Sequence, residues 1–75
     1  MSNNLDYFRD RIESLKDELI NASETMAELA TSLLREAIEG EQEAVHLEKN
    51  LQKARRALAK AVQVLGNQKS DYDNE

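Results

Sequence analysis

The 75-residue chain has no cysteine, no proline and no tryptophan, and only two glycines, Gly40 and Gly66. Without cysteine, neither a disulfide nor a cysteine-bound zinc ion can stabilise the fold. Without proline, nothing interrupts a helix within 5–38 or 42–65. A single core of this size contributes only about 3 to 5 kcal/mol of stability. Oligomerisation is the common remaining way to stabilise so small a chain.

The residue types that carry catalysis are also scarce. The chain has one histidine, His46, and no glycine-rich phosphate-binding loop. Glu43 and His46 have the spacing used by di-iron helical bundles, but those sites need a second such motif and two further glutamates. We therefore expect a protein that is not an enzyme, with no cofactor, no metal and no catalytic residue.

Long apolar runs are missing as well. No stretch approaches the roughly 18 to 20 residues needed to span a bilayer, and residues 1–4 lack the basic and apolar blocks of a signal peptide. We expect a cytoplasmic protein that does not contact a membrane.

The sequence does contain an apolar seam with a period of 3.5, which keeps one stripe of a helix facing a partner helix. It runs on both sides of Gly40, through Leu5, Phe8, Ile12, Leu15, Leu19, Ala22, Met26, Leu29 and Leu33, and then Ala44, Leu47, Leu51, Ala54, Leu58, Ala61 and Leu65. The seam predicts an all-α, coiled-coil-like antiparallel hairpin with its turn at Gly40. Seam residues whose numbers sum to 80 should share a layer, such as Leu33 with Leu47 and Leu29 with Leu51.

The predicted organisation is a cap at 1–4, helix 1 at 5–39, a turn at 40–41, helix 2 at 42–65 and a disordered acidic and polar tail at 66–75. Capping-box spacings within 21–28 are compatible with a break in helix 1, but the seam passes straight through them, which favours one long helix. The alternative fold is one continuous helix that forms an antiparallel coiled-coil dimer. The hairpin is favoured because glycine costs about 1 kcal/mol inside a helix.

Charge is distributed unevenly: residues 1–40 have nine acids and four bases, whereas 41–65 have three acids and five bases. Four of these bases form a ridge at Lys49, Lys53, Arg56 and Lys60. Nucleic-acid binding along this ridge is nevertheless disfavoured, because the chain has a net charge of −5 and no aromatic residue lies among the bases.

A second apolar stripe beside the seam predicts where the hairpin meets a partner. Its members, the expected partner-binding residues, are Ile20, Ala27, Ala30, Leu34, Ile38, Val45 and Val62. We expect a non-enzymatic protein–protein interaction module that self-associates through the seam and this stripe, as a homodimer forming a four-helix bundle.

Two other functions fit the same pattern. In length and in its two-helix layout the chain resembles the small helical-hairpin co-chaperones of bacterial type III secretion, and that resemblance implies an adaptor or chaperone that binds a different helical protein. Alternatively, the acids of residues 6–28 could imitate nucleic-acid phosphates, as in an acidic inhibitor or regulator of a nucleic-acid-processing protein.

Overall fold

The computed structural model of the protein describes residues 3–67; residues 68–75, most of the predicted tail, lie outside this range. Two helices make up nearly all of the described chain, α1 at Asn3–Ile38 and α2 at Gln42–Gly66. They pack against each other as a hairpin, with no strand among the described residues, so the predicted all-α hairpin is confirmed. Helix α1 begins two residues earlier than expected, and Gly66 lies inside α2.

Helix α1 continues without interruption through residues 21–28. Just beyond this segment, the Thr31 hydroxyl donates to the Ala27 carbonyl oxygen one turn earlier, at 3.1 Å, without interrupting the helix. The capping-box spacings therefore do not divide the helix, and the apolar pattern that crosses them sets its length.

The turn between the helices is a Schellman motif centred on Gly40. This glycine has a φ of +108°, a conformation that residues with a Cβ rarely adopt. The Glu41 amide donates to the Glu36 carbonyl at 3.0 Å, and the Gly40 amide donates to the Ala37 carbonyl at 3.1 Å. These are the two hydrogen bonds that define the motif, and they close the last turn of α1.

The helices contact each other through a face of α1 that is rotated from the predicted seam. The Ile12, Leu19, Met26 and Leu33 row of the seam is half-buried, as expected for interhelical packing. Its neighbour in the interface is the row Lys16, Ser23, Ala30 and Ala37, and Ala30 is the least exposed residue described, at 2 %. On α2 the central row is Ala44, Leu51, Leu58 and Leu65.

This rotation corrects the predicted position of part of the seam. Leu15 and Leu29, expected between the helices, remain 43 % and 52 % exposed. The physical reason is that α1 has apolar residues on more rows than one neighbouring helix can cover. Small side chains at Ser23, Ala30 and Ala37 allow close approach of α2, and the large leucines are left beside the contact.

The resulting molecule is a thin ribbon that measures 60 × 26 × 11 Å, with a radius of gyration of 17.2 Å. A compact chain of 75 residues has a radius of gyration of about 11 Å. Among the described residues only Ala30 and Ala44 are buried, and no large side chain is fully enclosed. The hairpin is therefore one layer of a core, with both faces of the ribbon open.

Candidate functional site

One broad face of the ribbon, here called the leucine face, is apolar along most of its length. Its exposed members are Leu5, Phe8, Leu15, Leu29, Leu47 and Val64. Seven-residue spacing aligns Phe8, Leu15 and Leu29 with Ala22 on α1, and Leu47 with Ala54 and Ala61 on α2. No charged residue occupies these rows within residues 8–33 or 47–64. Such a continuous apolar surface is typical of a helix-binding site.

The two helices form a shared groove on this face near the turn. Leu29 and Leu33 of α1 line it together with Leu47 and Leu51 of α2, and Asn50 is its one polar member. The four leucines are two of the predicted layers, Leu33 with Leu47 and Leu29 with Leu51. A groove about 390 Å³ in volume remains above them, open to one side. The residues of both predicted layers therefore lie together along one groove, but the hairpin itself only half-covers them.

The opposite face of the ribbon, here called the mixed face, alternates apolar and charged residues. It contains Ile20, Ala27, Leu34, Ile38, Val45 and Val62, together with Glu24, Glu48, Gln52 and Arg55. A second groove of about 300 Å³ lies here, where Ile20 and Ser23 of α1 meet Leu58 and Val62 of α2, and Glu24 borders it. Because Glu24 borders the groove, the apolar surface of the mixed face is not continuous.

A chain of three half-buried polar side chains crosses the mixed face on α2. The Gln52 amide nitrogen donates to the Glu48 carboxylate at 3.2 Å, and the Arg55 guanidinium donates to the Gln52 amide oxygen at 3.0 Å. The Arg55 Nε is buried and has no hydrogen-bond partner within residues 3–67. Covering this face would remove these groups from water at a cost, so it is the less favourable of the two faces to bury.

The predicted partner-binding stripe maps mostly to this mixed face, with one exception. Ile20, Leu34, Ile38 and Val45 are exposed, and Ala27 and Val62 are half-buried. Ala30 instead lies between the two helices, where it cannot contact another chain while the hairpin is closed. The stripe is thus a separate surface from the leucine face.

At the end of the ribbon opposite the turn, α1 extends beyond α2. Phe8 packs edge-on against Tyr7, with ring centroids 5.4 Å apart, and the Arg11 guanidinium lies 5.9 Å from the Tyr7 ring. Lys16 lies over the last turn of α2, where a Cβ added to Gly66 would be 3.5 Å from its ammonium nitrogen. A cation there is favourable beside the negative end of the helix dipole.

The two helices differ in net charge as well as in length. Helix α1 contains eight acidic and four basic residues, a net charge of −4, whereas α2 contains two acidic and five basic residues, a net charge of +3. On the leucine face, Arg11 and Glu18 border the groove beside Phe8 and Leu15. Lys53 and Lys60 lie one turn to either side of Ala57, along the α2 edge of that face.

The residues considered for metal or catalytic chemistry do not assemble into a site. Glu43 and His46 are both exposed, and no group of three or more potential metal ligands occurs within residues 3–67. Neither described helix is sufficiently long and apolar to cross a membrane.

Comparison with known proteins gives no match: no family model fits the sequence, and no curated protein or solved structure matches it significantly.

Sequence reasoning treated the outer leucine row as part of the interhelical core and so missed the leucine face. A signal for it was present in the sequence. The row of Ser23, Ala30 and Ala37 has the same seven-residue repeat as the seam and is small enough to form the interhelical contact. Giving that row the contact would have turned Leu15 and Leu29 outward.

Proposed function

We propose that the protein is a non-enzymatic interaction module whose partner is a second copy of itself, joined leucine face to leucine face in a four-helix bundle. The observation that carries this proposal is the half-covered groove of Leu29, Leu33, Leu47 and Leu51, whose lining contains no charged residue. A second ribbon supplies the missing layer of the core with side chains of the same kind.

The lack of an internal core supports the same proposal. Only two alanines are buried within the described residues, and the exposed leucines each stand to contribute up to about 1 to 2 kcal/mol when fully covered. An isolated two-helix layer of this size is marginally stable. Pairing two layers removes apolar surface of both layers from water and so stabilises each of them. A twofold pair needs only one self-complementary surface.

Sedimentation equilibrium over a range of protein concentrations, with circular dichroism at the same concentrations, tests the proposal. We expect twice the chain mass of 8.5 kDa, with a melting temperature that rises as the concentration rises. A mass of 8.5 kDa at all concentrations, with a concentration-independent melt, would refute self-association. If the monomeric chain were also poorly helical, the result would favour the adaptor hypothesis, in which a different helical protein completes the core.

A further inference from the structure

The ribbon also carries information about the orientation of the two copies. Only two kinds of twofold axis place the same face of two ribbons together with their helices aligned. An axis parallel to the helices puts α1 over α2 of the partner subunit and brings both turns to one end. An axis across the helices puts α1 over the partner's α1 and α2 over the partner's α2, with the turns at opposite ends.

We infer that the copies pair with parallel orientation, both turns at the same end, each α1 lying on α2 of the partner subunit. This inference rests on the proposed self-association and specifies its geometry. It is supported by the opposite net charges of the two helices.

The charge of the helices favours this orientation. When α1 lies on the partner's α2, a helix of net charge −4 adjoins one of net charge +3 on both sides, and like charges are diagonal. In the opposite orientation the two acidic helices are adjacent. An axis parallel to the helices keeps every residue at its own height, so Glu18 comes level with Lys60 of the partner subunit. Each exposed pair of this kind contributes only about 0 to 1 kcal/mol.

Spin-label distances distinguish the two orientations, because the absence of cysteine allows one label per chain. Glu41→Cys places a label at the turn, and Asn67→Cys places one at the far end of α2. With both turns together, two Glu41→Cys labels lie within about 25 Å, the width of two helices. With the turns apart, they are separated by at least the length of the 25-residue α2, about 37 Å.

Mixing the two labelled chains makes every outcome decisive. We expect a short Glu41→Cys to Glu41→Cys distance, a short Asn67→Cys to Asn67→Cys distance and a long distance in the mixed pair. A short distance in the mixed pair alone would overturn the parallel orientation and leave self-association intact. The mass of each labelled chain is measured in parallel, because a monomer would refute the proposed function and with it this inference.

Discussion

The two faces of the ribbon contain similar numbers of apolar side chains but differ in what lies between them. On the leucine face the apolar rows are continuous, and the one polar member of their groove is Asn50. On the mixed face the carboxylate of Glu48 and the guanidinium of Arg55 lie among the apolar residues, within a hydrogen-bonded chain. The difference teaches that exposed apolar area does not identify an interface by itself, because covering adjacent charged groups has a free-energy cost.

The largest expected effect comes from adding charge to one face at a time. Leu29→Asp with Leu47→Asp places two carboxylates in the groove of the leucine face, and we expect the proposed dimer to dissociate at least 100-fold more readily, since a buried unpaired charge costs several kcal/mol. Sedimentation measures the change.

Ile20→Asp with Leu34→Asp is the matched control, since both residues are similarly exposed but lie on the mixed face. We expect its mass to remain that of a dimer. Dissociation of the control with an unchanged Leu29→Asp, Leu47→Asp variant would reverse the assignment of the faces.

A smaller effect is expected from enlarging a side chain between the two helices. Ala30→Leu adds three carbon atoms at the least exposed position between α1 and α2, and we expect the free energy of unfolding to fall by about 1 to 3 kcal/mol through overpacking. Ala59→Leu, on the exposed surface of α2, should change it by less than about 0.5 kcal/mol. Urea titration compares the two, and equal stabilities would show that Ala30 does not set the helix spacing.

The two glycines, Gly40 in the turn and Gly66 at the end of α2, should respond differently to substitution. Gly40→Ala should destabilise the hairpin by about 1 to 2 kcal/mol, because its φ of +108° is strained for any residue with a Cβ, even though the space around it is free. Gly66→Ala lies in helical backbone with ordinary contacts, so it should stabilise the protein by up to about 1 kcal/mol. Thermal denaturation gives the signs; effects of the same sign would contradict the turn geometry.

The smallest effect is expected from the basic residues of α2, two of which lie beside the leucine face and two of which lie farther from it. Lys53→Gln with Lys60→Gln removes two charges beside the leucine face, and we expect dimer affinity to fall by several-fold and to depend less on salt concentration. Lys49→Gln with Arg56→Gln removes the same net charge from the far side of α2 and should leave affinity nearly unchanged. Equal losses would mean that net charge, and not the pairing of helix edges, governs association.

The sequence was sufficient to predict the two helices, the turn and the layers that join Leu33 to Leu47. These features depend on local propensity, on one glycine and on a seven-residue repeat, all of which are visible in the residues themselves. The rotation of α1 about its own axis was not predictable in the same way. Leu15 and Ala30 are both apolar and lie on neighbouring rows, and the choice between them depends on how closely two helices can approach, which is a property of the pair.

The predicted partner-binding surface therefore includes one residue that the hairpin encloses and omits others that it leaves exposed. Ala30 was expected to contact a partner but is enclosed between the helices, whereas Leu15 and Leu29 were expected between the helices but are exposed. Ile20 and Leu34 are exposed as expected, and whether they bind a partner stays a prediction. Only the packed structure distinguishes a row that forms the hairpin from a row that remains available.

The single turn at Gly40 also determines the order in which the ribbon can assemble during folding. Contacts between Leu33 and Leu47 close a short loop, whereas contacts between Ile12 and Leu65 close one of about fifty residues and cost more chain entropy. Folding should therefore begin at the turn and proceed along both helices towards the end that contains Phe8. That far end is the last to form and the first to open. The Lys16 side chain, which lies beside Gly66, therefore stabilises the least stable part of the hairpin.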